Sequence, residues 1–178
     1  MERKYNLFSF YLSFFCLGFV AYSFFSNLEN IWLLAPPNYV LLFISFLAFV
    51  FGIIGFKDKR NRLSKIRSWV TLTVSSITSI VLFLTIVASL FFSFMGVNEH
   101  IETTRSPDKN YTIHFYQWDT GATGSFGIRG ELDGPLWFKK RIYYEIEKEN
   151  VVIEWDSNSV VTINGHKLNL DEGETYGY

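Results

Sequence analysis

The residues of this chain whose types suit chemistry are His100, His114, His166, Asp119, Arg129 and the glycine-rich run Gly121-Ala122-Thr123-Gly124-Ser125-Phe126-Gly127. An imidazole with a carboxylate and a guanidinium can move a proton and hold an anion. An enzyme would therefore draw on His114, Asp119 and Arg129. Their spacing matches no catalytic motif. Period-2 alternation puts His114 on the strand face of Thr112, Tyr116 and Trp118. His166 shares its face with Val161, Leu168 and Leu170, so the two strand histidines are expected on opposite sides of the sheet rather than on one metal. The glycine-rich run lacks the Lys-Ser/Thr of a phosphate loop and lies between strands. It reads as a flexible hairpin loop between Trp118-Asp119 and Arg129, where recognition rather than phosphate chemistry is expected. No Ser or Cys sits in a nucleophile elbow. Asp171, Glu172 and Glu174 lack the spacing of a calcium loop. This reading assigns no catalytic residue, no metal and no cofactor. It leaves Tyr116, Trp118, Asp119 and Arg129 as the candidate partner-binding set.

The elements that must position these residues begin in a different solvent. Three runs, 7–25, 39–56 and 69–95, contain no Lys, Arg, Asp, Glu or His. Each is long enough to cross a hydrocarbon core of ~30 Å at ~1.5 Å per residue. Residues 1–96 carry eight Lys/Arg against three Asp/Glu, a net +5, while residues 97–178 carry eight against fourteen, a net −6. Sixteen of the nineteen Phe precede residue 97. Such asymmetry marks a boundary between solvents. The expected division is a three-helix transmembrane region over 1–96 and a β-domain over 97–178. The first run begins after Arg3 and Lys4 but is longer and bulkier than a signal-peptide core, so a retained helix is expected. Cys16 is the only cysteine, which excludes an intrachain disulfide.

Loop charge sets the expected orientation. Arg3 and Lys4 precede the first run, the first loop has Glu29 and no base, and the loop 57–68 has Lys57, Lys59, Arg60, Arg62, Lys65 and Arg67. Basic segments stay cytoplasmic. The N-terminus and the basic loop are thus placed inside, and the first loop and the β-domain outside. The basic loop also suits anionic lipid heads, but its role as topology determinant suffices. The third run carries Thr71, Ser75, Thr78, Leu82, Thr85 and Ser89 at spacings of 4, 3, 4, 3 and 4, one stripe on a helix. Thr71, Ser75, Thr78, Thr85 and Ser89 are small hydroxyl residues that let another helix approach, the expected helix–helix interface. The partner is the second run, with Ala48 and Gly52, or a second copy, or another protein. The runs hold no charge of the kind pumps and carriers need.

After Thr103 the period becomes 2. Strands are expected over 111–118, 126–132, 137–146, 151–155, 159–163 and 166–170, the last two joined by the hairpin signal Asn164-Gly165. In 137–146 one face is read as Phe138, Ile142, Tyr144 and Ile146. The fold class is membrane α, three transmembrane helices, plus a small all-β C-terminal domain of five to six antiparallel strands, a sandwich or partly closed barrel. His114, Tyr116 and Trp118 form an aromatic strip on the off-core face. Exposed, the strip is a partner-binding surface. Buried, it is the second layer of the domain.

Ser106-Pro107-Asp108-Lys109-Asn110-Tyr111-Thr112-Ile113 resembles the opening of the soluble part of a family of short Bacillus-type membrane proteins known only as a domain of unknown function. Gly121-Ala122-Thr123, Ile128-Arg129-Gly130-Glu131 and the segment from Glu154-Trp155 to Leu168 resemble it too. The resemblance covers 103–170. It implies a bacterial source and supplies no activity and no catalytic residues. The family has Gly after the Asp of its first motif. Lys109 stands there in this chain, which leaves that turn's type open.

The reading that follows is a non-enzymatic cell-envelope membrane protein, multi-pass in the cell membrane. Its outer β-domain binds a protein, peptide or wall component, as an immunity protein or an accessory subunit does. Its partners are the lipid bilayer and another membrane or envelope protein. Nucleic acid is excluded, because the larger basic stretch is cytoplasmic loop and the tail is acidic. The alternatives are an extracytoplasmic enzyme and a homo-oligomeric pore or transport accessory.

Overall fold

The computed structural model describes residues 2–29, 31–57, 61–95, 98–119, 121 and 124–178. Lys59 and Arg60 of the basic loop, Ala122 and Thr123 of the glycine-rich run and the 96/97 boundary lie outside the described residues. Three helices come first: α1 Glu2–Glu29, α2 Asn38–Gly55 and α3 Arg62–Phe94. All three are long and apolar enough to cross a membrane. In hydrocarbon every backbone polar group must be satisfied within the segment, which leaves these runs no alternative to helix. α2 starts directly after Pro37, whose ring cannot continue a preceding helix. The 57–68 loop is shorter than expected: Arg62, Lys65 and Arg67 lie on the first turns of α3, because Ser64 and Ser68 continue that helix's buried stripe.

The chain divides into two compact units, Met1–Phe25 with Ala35–Ser89, and Ser26–Leu34 with Leu90–Tyr178. The first is built small side inward. Its buried positions are Asn6, Ser9, Ser13 and Cys16 on α1, Leu41, Ser45, Ala48 and Gly52 on α2, and Ser64, Ser68, Thr71, Ser75, Thr78 and Leu82 on α3. Phe8, Phe15, Phe43, Phe46 and Phe83 are exposed. Small residues let backbones approach, which replaces the hydrophobic drive that lipid removes. A Cβ on Gly52 would sit 3.0 Å from the Thr71 methyl. Ser45 Oγ donates to the Ser75 carbonyl at 3.1 Å and lies 2.8 Å from Ser79 Oγ. Asn6 Nδ2 lies 2.7 Å from Ser68 Oγ, 3.0 Å from the Ser64 carbonyl and 3.4 Å from the Gly55 carbonyl, acceptors on the other two helices that its two N–H groups share.

The second unit holds β1 Asn98–Arg105, β2 Thr112–Asp119, β3 Phe126–Asp133, β4 Lys139–Ile146, β5 Ile153–Trp155, β6 Val160–Ile163 and β7 His166–Asn169. β1 to β4 form one antiparallel sheet in chain order, and β5 to β7 a second. One core joins the two sheets: Ile113 and Phe115 of β2, Ile128 and Leu132 of β3, Ile142 and Tyr143 of β4, Val161 and Ile163 of β6, Leu168 of β7, and Leu170. Face-to-face sheets sharing one apolar layer make a sandwich.

Two features depart from the sequence reading. β1 was not expected as a strand. Its sequence, Asn-Glu-His-Ile-Glu-Thr-Thr-Arg, has no apolar alternation, because it is an edge strand exposed along nearly its whole length. The second departure is a bulge. The register runs from Gly130↔Tyr143 to Glu131↔Arg141, leaving Ile142 as an extra residue on β4. One extra residue reverses which side chains face the core from there on. Tyr143, not Tyr144, is therefore buried beside Ile142, and Tyr144 turns to the opposite face. The outer edge of β4 is paired at its start and again beyond its middle. Leu33 pairs antiparallel with Lys139, and Tyr176 pairs parallel with Tyr143. Leu33 N–H donates to the Lys139 carbonyl at 2.7 Å, and Tyr144 N–H to the Tyr176 carbonyl at 2.9 Å. Residues between the first two helices are thus part of the β unit.

The Asn164-Gly165 hairpin has φ of 47° and 86°, as a type I′ turn requires. At the turn before β2, Lys109 has φ 63°, the left-handed region that favours glycine. Asp108 holds that turn, accepting from Ser106 Oγ at 2.6 Å and Asn110 N–H at 3.2 Å. Lys109→Gly is expected to raise stability by about 1 kcal/mol, the relief of a non-glycine residue at positive φ. The denaturation midpoint of the detergent-solubilised full chain checks it.

Acid is expected to loosen the same unit. Asp108 is held below its ordinary value of 3.8 chiefly by the Ser106 hydroxyl. Lys167, at 3.1 Å, does so for Asp156, and the Tyr111 hydroxyl, at 2.6 Å, for Asp171. Burial alone would raise Glu145, but hydrogen bonds from Tyr143 and Asn164 and the nearby Lys148 outweigh it and bring the group below 4.5. All four are lowered on folding, so their stabilisation is complete above the unfolded values and is lost as pH falls through the folded ones. The thermal midpoint is expected to stay level above about pH 5 and drop below about pH 4. Asp156→Asn should flatten part of that drop.

Candidate functional site

The candidate site is the face of the four-stranded sheet turned away from the core. Register carries Tyr116 opposite Arg129, His114 opposite Glu131 and Trp118 opposite Gly127 on β2 and β3. It adds Arg129 opposite Tyr144 and Glu131 opposite Arg141 on β4, and His100 opposite Tyr116 and Thr103 opposite His114 on β1. Alternation thus gathers aromatic and charged residues from four strands onto one surface.

Two clusters share this face. In the first, His100 Nε2 lies 2.8 Å from Thr103 Oγ1, which lies 2.9 Å from His114 Nδ1, while His114 Nε2 lies 2.9 Å from Asp133 Oδ2. In the second, the Trp118 and Tyr144 rings stack at 5.1 Å with planes 7° apart, and the Tyr178 ring lies 5.7 Å from Tyr144. Between them the Arg129 guanidinium lies 5.4 Å from the Tyr116 ring centre. Arg129 Nε is 3.0 Å from Glu131 Oε1, an ion pair whose side chains are 19% and 15% exposed. Trp118 is 9% exposed, and its indole N–H has no hydrogen-bond partner among the described residues.

Gly127 makes the aromatic stack fit. A Cβ there would collide with the Glu145 carbonyl oxygen and sit 3.0 Å from Trp118 Cζ2. Gly127→Ala is expected to cost about 1–3 kcal/mol through overpacking and to unstack Trp118. Near-ultraviolet circular dichroism of the full chain reads both changes.

Tyr116, Trp118 and Arg129 of the expected set share this face. Asp119 does not: it has the opposite parity, at the exposed end of β2, and its carboxylate accepts the Gly121 N–H at 2.7 Å. It holds Gly121, the first residue of the glycine-rich run. His114 and Arg129 are on one face, but Asp119 is turned away, so the triad named for an enzyme is not assembled. Thr103, His114 and Asp133 do line up hydroxyl, imidazole and carboxylate. Yet Thr103 is exposed on an edge strand and shares its hydroxyl with His100. His166 belongs to the second sheet, its ring stacked 3.6 Å from Tyr176.

Tyr144, Tyr178, Thr103, Glu131 and Asp133 were not picked out from sequence. The bulge hides Tyr144, and the polar edge strand hides Thr103. Of the hydroxyl stripe, Thr71, Ser75 and Thr78 are buried. Thr85 and Ser89 are exposed and bond back to the Val81 and Ile86 carbonyls of their own helix, each at 2.9 Å.

A family model for DUF5412, a family of unknown function, matches residues 65–178, from the first turns of α3 through both sheets. The chain belongs to DUF5412. No curated protein and no solved structure matches it. The region common to DUF5412 is thus one apolar helix joined to the sandwich, and every residue of the sheet face falls within it. In this DUF5412 chain α1, α2 and residues 26–34 precede the match, yet Leu33 pairs with β4 inside it.

Proposed function

We propose that this DUF5412 protein is a non-enzymatic, membrane-anchored binding protein of the bacterial cell envelope. Its β unit lies outside the cytoplasmic membrane and holds a protein, peptide or wall component against the sheet face of Tyr116, Arg129, Trp118 and Tyr144. The observation that carries this reading is the gathering of stacked aromatics and a cation–aromatic pair on one partly exposed face. Tyr, Trp and Arg are the side chains that dominate binding energy at interfaces, because each combines a large apolar area with a polar end.

Three features support the placement. The cationic segment follows α2, and the first loop has no base. The pairing of Leu33 with Lys139 requires that loop and the β unit to lie on one side of the membrane. An odd number of spans separates the β unit from the N-terminal Arg3 and Lys4. Against a pore reading, Ser75 and Thr71 meet Ser45 and Gly52 of α2 rather than water.

The test is a photo-crosslinking residue at Tyr116 in living cells. One discrete adduct heavier than the chain is expected, and Arg129→Ala should reduce it at least severalfold. Irradiated cells that yield only the free chain would overturn the proposal.

A further inference from the structure

The turn between β3 and β4, Gly134-Pro135-Leu136-Trp137-Phe138, plays no part in the sheet face. It is built against the usual preferences of a water-facing turn. Leu136 has φ 63°, where glycine or asparagine is the ordinary choice, and its side chain is 82% exposed. Trp137 beside it is 43% exposed. The turn is nevertheless closed by its own hydrogen bonds. Gly134 N–H donates to the Phe138 carbonyl at 2.8 Å, and Phe138 N–H donates to the Pro135 carbonyl at 3.2 Å. Trp137 Nε1 donates to the Leu34 carbonyl at 3.0 Å. Ile31 and Leu34, on the segment that turn grips, are each 41% exposed. Leu136 and Trp137 therefore make an apolar tip on the β unit beside Leu34, held by a hydrogen bond and by the Leu33–Lys139 pairing next to it.

What covers this tip follows from where the chain goes next. Ile31 comes two residues after the end of α1, and Leu34 four residues before the start of α2, both helices apolar enough to span the membrane. At ~3.3–3.6 Å per residue, neither can stand far from the level at which those spans leave the hydrocarbon. A tryptophan bonded to Leu34 is confined to the same level. Trp favours that layer, its ring toward the acyl chains and its N–H bonded.

We propose that the β3–β4 turn is a membrane-interface anchor, with Leu136 and Trp137 inserted into the phospholipid of the bilayer that holds the chain's own helices. Apolar insertion of this kind does not depend on anionic lipid, since Lys139 and Lys140 next to the tip are already engaged, with Glu131 at 3.8 Å and the Gly173 carbonyl at 2.9 Å. The anchor uses none of the residues of the Tyr116–Trp118 face. It holds whatever binds that face and whichever way the spans are oriented.

The test uses the full chain in phosphatidylcholine vesicles, with Cys16→Ala and a single new cysteine, Leu136→Cys, carrying a polarity-sensitive fluorophore. Asn158→Cys, at the exposed turn before β6, is the reference. The Leu136 label should emit to the blue of the Asn158 label and be quenched severalfold more by lipids bearing a nitroxide on the acyl chain. If Cys16→Ala fails to fold, the same labels go onto the chain with Cys16 left in place, since that thiol is fully buried. Equal emission and equal quenching at the two sites would overturn the proposal. So would shielding of Leu136 seen in native membranes but not in lipid vesicles, which would make the occupant a protein.

Discussion

Replacing Phe115 by alanine is expected to lower the unfolding midpoint of the β unit steeply near neutral pH and leave the helical signal of the membrane unit in place. Phe115 is fully buried in the middle of β2. It fits there because its cross-strand partner is Gly130, where a Cβ would stand 3.1 Å from the phenyl ring and 3.0 Å from the Tyr143 Cβ. Truncation removes the ring from the layer shared by both sheets, and Gly130 has no side chain to move into the space. A buried Phe→Ala costs about 3–5 kcal/mol, transfer and cavity together. A small domain has about 5–15 kcal/mol in all, so this one change consumes a large share. Near-ultraviolet circular dichroism on heating and trypsin sensitivity of the full chain in detergent should both report the weakened sandwich. An unfolding midpoint within the error of the wild type would show that the shared core is not what holds the sheets together. Ile113→Val, which removes one methylene in the same layer, should cost only about 0.5–1.5 kcal/mol.

Alkaline phosphatase fused after Tyr178 is expected to be active, and a cytosol-dependent reporter at the same point inactive. The charge pattern leads to this result. Lys57, Lys59, Arg60, Arg62, Lys65 and Arg67 fall within eleven residues, and the loop on the other side of α2 has no cation. Each cation costs about 2.5–3.5 kcal/mol at the bilayer centre on insertion scales, so exporting six is prohibitive. Changing the six to Gln or Asn should weaken the preference enough that a measurable fraction of the cytosol-dependent reporter turns on. Because Leu33 is paired with Lys139, the first loop cannot reverse without the β unit. A cysteine in that loop should therefore have the same sidedness as the fusion point in every variant. Reporter activity confined to the cytosol in the wild type would reverse the proposed placement of the sheet face and exclude a wall component as its ligand.

Much of the β unit was legible where one face of a strand is wet and the other dry. Thr112–Asp119 and Val160–Ile163 alternate cleanly, and Asn164-Gly165 names its own turn. Legibility failed at Asn98–Arg105, which is wet on both faces, and at Ile142, where one inserted residue exchanges the roles of Tyr143 and Tyr144. That exchange matters most for the site, because it delivers Tyr144 to Trp118. Asp119, the residue after Trp118, points to the opposite face, because neighbours on a strand alternate.

By itself the sequence determined the three apolar spans, the charge asymmetry across α2 and the switch to period 2 near residue 103. These rest on solvent preference and local backbone geometry, which each segment expresses alone. Only the tertiary structure decided that Ser26–Leu34 joins the β unit, that the bulge turns Tyr144 outward and that Trp137 is bonded to Leu34. Each of these is a pairing between segments far apart in the chain. Such pairings are set by register and close packing, which leave no periodic trace in either segment.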